Sequence, residues 1–559
     1  MSKRAHLLPL VTVALFALAA FTVRAVSLDA QSLWRDEVDA MRFATAPLKE
    51  VLSNFSRPGW NGPLYFLLLR DWIALTGTSE YAMRFFSLLF GVLCVPLVYV
   101  LGNRLFSQET GLIAALLVTA SPYLTWYGQE VKMYTLLPAL ALLTIYALRR
   151  ATEGGGWGWW AVQALATTLA FYSHILAALL IPVQVIAYFV WWPQARKQWR
   201  GAIISIACLT LPYLPLAVWQ VPLLIAPTPG QSAQPAGRIV QTVLESWRAG
   251  SLSLLRTRET GFSRFTLGET VQILLDYWSI GQMGTFGKGW PWGSVIVGLL
   301  LVWGVLSPLT ALLRRETPSM RNTLALLAWT VFPPLAVWFV SHWQPLFTDR
   351  YFVWSAVPFY LLIAAGLACL LRLGEWGRWT ALILVGLVLG LNGLNQWEQA
   401  TTDGKIDYRA ATAYAAANYM PSEEPAPEAV VPTSDPCPEC TFELYVPLAA
   451  SRYPREPFIV FQIPYARYSF DYYYPDNGYQ WADGLYTNHR YDDGSYMMSE
   501  ASADLAMQDL TAGHDVIWLF ATETSMWDER GLVKAWLDSN MRLVDQAHFK
   551  WVDVYRYER

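Results

Sequence analysis

The chain has 559 residues, of which 54% are hydrophobic and 15% charged, against the roughly 25% charged of an ordinary soluble domain, and this excludes a single soluble globule. Residues 1–397 carry 28 Lys and Arg against 17 Asp and Glu, whereas residues 398–559 carry 12 against 26. A basic apolar body followed by an acidic polar tail reads as a membrane domain with a soluble appendage, and the acidic appendage excludes nucleic-acid binding.

A crossing helix needs about 20 apolar residues. Eleven stretches meet that pattern: 6–28, 79–103, 107–125, 131–149, 157–173, 174–192, 201–225, 292–313, 322–341, 351–371 and 379–397. The N-terminal apolar run is long and lacks a small-residue cleavage site, so it reads as an uncleaved first span. The stretch "NGPLYFLLLRDWIALTG" (61–77) is apolar but holds Arg70 and Asp71. Counting it as a span would flip everything downstream. The positive-inside rule decides against it: without it, Arg104, Arg149, Arg150, Arg196, Lys197, Arg314, Arg315 and Arg372 all fall on the inner side. It reads as a helix lying at the outer surface. This topology puts the N terminus in the cytoplasm and three segments outside: loops 29–78 and 226–291, and the tail 398–559. The second loop contains "GETVQILLDYWSIGQ" (268–282), a helix-like cover over a cleft or a packing element. The tail alternates helix-like runs ("DYRAATAYAAANYMP", "GLVKAWLDSNMRLVDQ") with strand-like ones ("EPFIVFQI", "HDVIWLFAT", "KWVDVYRYE"), which predicts an extracytoplasmic α/β domain. Its tyrosine-rich stretch 465–491 suits either sugar stacking or sheet building. Its Cys437 and Cys440, in "CPEC", suit a small disulfide loop better than zinc, because no second ligand pair comes after them.

Ionisable residues gather at outer helix ends. "SLWRDEVDAMRFA" (32–44) comes after the first span. Its Asp36 and Glu37 are adjacent, so on a helix their side chains point about 100° apart and cannot both aim at one atom. One is the chemical group and the other structural, unless the whole run is a solvated interfacial face. "SPYLTWYGQEVKMY" (121–134) places Glu130 and Lys132 on the outer side; "YSHILA" places His174 there, as a packing residue, proton shuttle or ligand. "TDRYFVW" places Arg350 at the head of a late span, where a guanidinium either snorkels or clamps phosphate. Charges at the lipid boundary are expensive, which favours functional readings. A carboxylate base and a basic clamp beside lipid fit a lipid-linked phosphate. A lipid-linked sugar flippase is the alternative, but it predicts polar residues at mid-depth of several spans.

These motifs, with "ASPYLTWYGQEVKMYTLLPAL", "FYSHILAALL" and "DRYFVWSAVPFYLLIAAGL", closely resemble the GT-C membrane glycosyltransferases, nearest to the dolichyl-phosphate-mannose–protein mannosyltransferase and aminoarabinose-transferase-like group. The resemblance covers about residues 1–395. It implies a GT-C fold over 1–397, with about eleven transmembrane helices, followed by the α/β domain 398–559. It implies a multi-pass cell-membrane enzyme taking a sugar from a polyprenyl-phosphate donor to an extracytoplasmic lipid, protein or envelope-glycan acceptor. The presumed catalytic aspartate falls on Asp36, with Glu37 beside it, and the second acidic site on Glu130. The donor phosphate falls to Arg350, and we read Lys132 and Tyr351 as further phosphate-binding residues beside it. Where the family often has His-Pro-Pro-Leu, this chain has Asn61-Gly62-Pro63-Leu64. Metal use varies across the superfamily, so a divalent cation is an open option and is not assumed.

Overall fold

The computed structural model describes residues 3–55, 61–214, 264–282, 292–313, 317–342, 345–418, 458–475, 479–491 and 494–559. Of the loop 226–291, residues 264–282 are described; Cys437, Cys440 and the stretch 421–432 lie outside the described residues. The chain divides into two compact units. One comprises Met1–Asp29 and Ala40–Thr402, the other Ala30–Asp39 and Asp403–Arg559.

The first unit is helical: α1 (Lys3–Ala25), α2 (Arg35–Thr45, whose first turn belongs to the second unit), α3 (Leu48–Phe55), α4 (Leu64–Thr76), α5 (Glu80–Leu105), α6 (Gln108–Ala120), α7 (Pro122–Gly128), α8 (Leu136–Thr152), α9 (Trp157–Ser173), α10 (Leu180–Val190), α11 (Trp199–Thr210), α12 (Leu267–Ile280), α13 (Trp292–Leu313), α14 (Thr317–Val340), α15 (Val353–Leu371) and α16 (Glu375–Thr401). Among the described residues five helices are long and apolar enough to cross a bilayer, or six if the pair Ile175–Val190 and Trp192–Leu209, bent by 84°, counts as one. Their outward faces keep large apolar side chains exposed, such as Leu8, Leu15 and Leu18 on α1 and Leu382 and Ile383 on α16. Apolar stripes of this extent suit hydrocarbon, in which helices satisfy their own backbone polar groups. By contrast, α15 is buried along nearly its whole length, packed by α5, α6, α8, α13, α14 and α16. Glycine pairs permit two tight crossings: a Cβ on Gly304 would lie 2.2 Å from the Leu362 carbonyl oxygen, and one on Gly102 would lie 2.9 Å from Gly111 Cα. Small residues at crossings are how helices approach closely where lipid gives them no hydrophobic drive.

Two expected spans have different limits. The run 107–125 breaks after Ala120. Ser121 Oγ accepts the Leu124 N–H and Pro122 sits in the first turn, so a new short helix α7 starts there, as serine caps and N-terminal prolines favour. The chain then stays non-helical from Gln129 until α8 begins at Leu136 rather than near 131. A buried cation braces this turn. Arg24 is fully buried; it donates to the Val118 carbonyl at 3.0 Å and the Thr119 carbonyl at 3.4 Å, at the C-terminal end of α6. Carbonyls at a helix C terminus attract cations. Gln129 Nε2 in turn donates to the Arg24 carbonyl at 3.0 Å.

The stretch 61–77 forms α4, whose 13 residues span about 20 Å, short of the roughly 30 Å of hydrocarbon. The departure at Asn61-Gly62-Pro63-Leu64 has a packing reason. A Cβ on Gly62 would lie 2.0 Å from the Tyr172 carbonyl oxygen, a backbone atom that cannot rotate away. Gly62→Ala should therefore cost roughly 1–3 kcal/mol and lower the melting temperature in detergent. Gly268→Ala on α12, where a Cβ meets nothing within 4 Å, should leave it unchanged or raise it.

The second unit is α/β. Strands β1 (Phe458–Phe461), β2 (Gln480–Asp483), β3 (Val516–Thr522), β4 (Arg542–Phe549) and β5 (Val552–Glu558) form one sheet in the order β2-β1-β3-β5-β4. β1 is parallel to both β2 and β3, while β5 is antiparallel to β3 and β4. Helices α17 (Tyr408–Asn418), α18 (Ala466–Tyr473), α19 (Glu500–Leu510) and α20 (Leu532–Asn540) complete it. The run "VIWLFAT" is apolar at nearly every position because both faces of β3 are covered. Trp518 and Phe520 join a core with Tyr408 and Phe470, while Ile517 and Leu519 join one with Met507 and Leu537. The helix-like run 531–546 ends at Asn540 and continues as β4, whose register against β5 claims its backbone. Tyr465, Tyr473, Tyr474 and Tyr479 pack on the first core.

Candidate active site

Within the helical unit, three irregular segments carry the candidate residues: the turn 129–135, the junction between α9 and α10, and the short 3₁₀ turn Asp349–Phe352 before α15. The turn 129–135 is tied to α5 through Ser87. Its hydroxyl donates to the Lys132 carbonyl at 3.2 Å, and its carbonyl accepts from Thr135 Oγ1 at 2.6 Å. Glu130 is 1% exposed. The Lys132 ammonium lies 5.9 Å from the centre of the Phe66 ring, on α4.

His174 ends α9 and caps the 3₁₀ turn Ile175–Leu179: its Nδ1 accepts the Leu176 N–H at 3.2 Å. It is 1% exposed. Burial, then the nearby charges of Arg350 and Lys132, pushes its pKa down to about 3. The ring is therefore neutral, and because Nδ1 accepts, the proton sits on Nε2. That nitrogen is buried and finds no hydrogen-bond partner among the described residues. The Tyr351 ring meets the imidazole edge-on at 5.0 Å between centres. The result is a buried N–H donor beside two cations, which is the makeup of an anion site. A ring held neutral at physiological pH presents an N–H donor there. The lowered value also sets the pH dependence of stability. The unfolded imidazole gains a proton near pH 6.5 while the folded one stays neutral until about pH 3, so folding weakens as pH falls through that interval. His174→Gln should flatten the decline in melting temperature between pH 7 and pH 4.

The structure also brings in Asp349, which no sequence motif singles out. Tyr127 Oη donates to Asp349 Oδ2 at 2.7 Å, Tyr123 Oη donates to the Asp349 carbonyl at 2.8 Å, and the Gln282 side chain donates to the same Oδ2. Tyr123 and Tyr127 stand four apart on α7, a spacing visible in "PYLTWYG" that puts both hydroxyls on one face. This clamp fixes the turn that carries Arg350 and Tyr351.

Within the second unit, Asp36 and Glu37 open α2 and have separate partners. Arg35 Nε lies 3.6 Å from Asp36 Oδ1, and the Asp36 side chain keeps 16% exposure. Glu37 is fully buried, and Lys405 Nζ, itself nearly buried, lies 3.0 Å from its Oε2. Further bonds hold the segment 30–39 within this unit. Ser32 Oγ donates to the Ile406 carbonyl at 2.5 Å, the Leu33 N–H donates to Tyr473 Oη at 2.6 Å, and the Gly404 N–H donates to Gln31 Oε1 at 3.1 Å. Lys405 carries no motif in the sequence. Among the described residues no cluster of three or more His, Cys, Asp or Glu could hold a metal ion.

The archaeal oligosaccharyltransferase AglB from Archaeoglobus fulgidus, in complex with an inhibitory peptide and a dolichol-phosphate, matches the structure with a TM-score of 0.57 at 14% identity, over 99% of this chain and 74% of that one. ArnT from Cupriavidus metallidurans bound to undecaprenyl phosphate matches with a TM-score of 0.50 at 13% identity, over 97% of both chains. This chain has the GT-C fold. The likeness shows the GT-C architecture in a body of apolar helices and an appended sheet. A family model described as dolichyl-phosphate-mannose-protein mannosyltransferase matches residues 57–219, under a third of the chain but including Glu130, Lys132 and His174. No curated protein sequence matches the chain.

Proposed function

We propose that this GT-C chain is a multi-pass membrane glycosyltransferase that moves a hexosyl or pentosyl group from a polyprenyl-phosphate donor to an extracytoplasmic acceptor. The observation that carries the reading is the buried His174 Nε2–H, without a hydrogen-bond partner among the described residues, beside Arg350 and Lys132. A donor and two cations so placed suit a phosphate, whose oxygens take forked guanidinium bonds. Tyr351, packed on the imidazole, completes the binding face. In this reading the topology has about eleven spans, the N terminus is cytoplasmic and the C-terminal unit is extracytoplasmic.

The chemistry is dictated by the leaving group. A glycosidase expelling a poor alkoxide needs a carboxylic acid as well as a carboxylate. A lipid phosphate leaves without protonation, so one base and one cationic clamp suffice. Asp36 takes the proton of the acceptor nucleophile as its bond to the sugar anomeric carbon forms. The bond from that carbon to the phosphate oxygen breaks on the opposite face, and the configuration inverts. Arg350, Lys132 and His174 hold the departing phosphate, and Glu130 is the second acidic residue beside the clamp. The partners are the polyprenyl-phosphate sugar, the acceptor and membrane lipid.

Two measurements test this. Glycolipids and glycoproteins of cells with and without the gene should differ by one missing sugar; identical profiles would overturn the enzyme reading. Purified protein should bind undecaprenyl phosphate, and Arg350→Gln should weaken that binding at least roughly thirtyfold, as truncating one side of a desolvated charge contact does. Unchanged binding in Arg350→Gln would remove Arg350 from the clamp.

A further inference from the structure

At the other end of α9 from His174, cations of the helical unit gather around a single acid. Arg104 lies in the last turn of α5, and Arg149 and Arg150 lie in the last turn of α8. The short turn Arg196–Gln198, between α10 and α11, packs on α8 and adds Arg196 and Lys197. A Cβ on Gly154 would lie 3.4 Å from Gln198 Nε2, so this turn stands directly beside the end of α8. From residue 131 to 244 the sequence holds one acid, Glu153. Glu153 is doubly engaged: Arg104 Nε donates to its Oε2 at 2.8 Å, and Arg149 Nε lies 2.9 Å from its Oε1. Among the described residues, Arg150, Arg196 and Lys197 form no ion pair.

Helix C termini attract cations, which accounts for arginines at the ends of α5 and α8. It does not account for the state of Arg149. That residue is 8% exposed, and its guanidinium lies 5.0 Å over the ring of the buried Trp191. The Trp191 indole N–H is itself fixed on Asn322 Oδ1 at 2.9 Å. Arg149 Nη1 is buried and has no hydrogen-bond partner among the described residues. A buried N–H without an acceptor is costly, and cations crowded around one acid repel one another. An anion from outside the chain relieves both. Three exposed tryptophans flank the cluster: Trp157, Trp192 and Trp199. Indole rings favour the headgroup level of a bilayer, so the anion that belongs here is a lipid's.

We propose that this cluster binds the phosphate headgroup of an anionic phospholipid, with Arg149, Arg150, Arg196 and Lys197 as its cations. Basic pockets between membrane helices hold such headgroups. The site is distinct from the phosphate clamp at His174, because Trp157 and His174 stand at opposite ends of the 17-residue α9, about 25 Å apart along its axis. In the membrane orientation proposed above it opens on the cytoplasmic leaflet, although the binding itself does not depend on that orientation.

Purified full-length protein is titrated with phosphatidylglycerol or phosphatidylcholine, with bound lipid counted by native mass spectrometry and melting temperature followed in parallel. Arg149 is too buried for a clean substitution, so its more accessible neighbours carry the test. We expect wild type to prefer phosphatidylglycerol and to melt higher with it. The double variant Arg150→Gln with Lys197→Gln should bind it roughly 25-fold more weakly, at about fivefold for each cation near an anionic headgroup. The control Arg372→Gln with Arg378→Gln, which removes two exposed cations at the connection between α15 and α16, should keep wild-type affinity. Equal loss in both double variants would mean a general attraction of the basic surface and overturns the proposal. So does equal affinity for the two lipids in wild type. A rise in melting temperature with inorganic phosphate that matches the rise with phosphatidylglycerol makes the ligand a soluble anion and overturns it as well. Arg350→Gln should bind phosphatidylglycerol like wild type; a loss there would put the lipid in the donor site. Failure of Arg350→Gln to weaken undecaprenyl-phosphate binding would sink the clamp and leave this site standing.

Discussion

Asp36→Asn is expected to lower sugar transfer by roughly 10²–10⁴-fold while leaving the fold and undecaprenyl-phosphate binding unchanged, since positioned base catalysis has that worth. The substitution keeps the size of the side chain and removes its capacity to take a proton. Asp36 is suited to the experiment because it is partly exposed and pairs with Arg35 at 3.6 Å, so the neutral amide creates no uncompensated buried charge on its own side. The measurement is reappearance of the missing glycoconjugate in cells lacking the gene, normalised to folded protein. A rate near wild type would exclude Asp36 from proton transfer, and attention would move to Glu130, which is almost fully buried in the helical unit.

Lys405→Met is expected to be the most damaging single change in the C-terminal unit for stability, at about 3–5 kcal/mol, the usual cost of stranding one member of a buried ion pair. Glu37 has no exposed surface and Lys405 Nζ is 3.0 Å from it; methionine fills the volume of the lysine stem but leaves the carboxylate buried without its cation. The double variant Glu37→Gln with Lys405→Met should recover much of the melting temperature lost in the single one, because neither charge then remains to be compensated. Activity separates the two acids of the motif. If Glu37 serves only to seat the segment 30–39, the double variant regains transfer along with stability. If Glu37 itself does chemistry, the double variant is stable and inactive.

The two adjacent acids mark where sequence reasoning stops. That Asp36 and Glu37 diverge is a consequence of the helix pitch alone. Which of them pairs with a buried cation is not, because the answer lies in Lys405, 368 residues away and without any motif around it. Asp349 shows the same limit: it lies next to Arg350 in "TDRYF", but its role as the anchor of that turn depends on tyrosines of α7 more than 220 residues earlier. His174 could be read as a packing residue, shuttle or ligand. Its burial and the two neighbouring cations hold the ring neutral, and neither is written in "FYSHILA".

The class of the protein is legible in the unfolded chain: a basic apolar body of membrane-length helices, an acidic α/β tail, a short apolar helix at 64–76 and the GT-C motifs in order. These are local or additive properties, set by runs of apolar residues, helix caps and summed charge, so the chain displays them without folding. Only the folded molecule reveals which charged groups are paired, which face a ligand, and where expected helices stop. Such properties depend on what is brought within a few ångströms across hundreds of residues and on how far water is excluded there, and both are set by packing rather than by any local pattern.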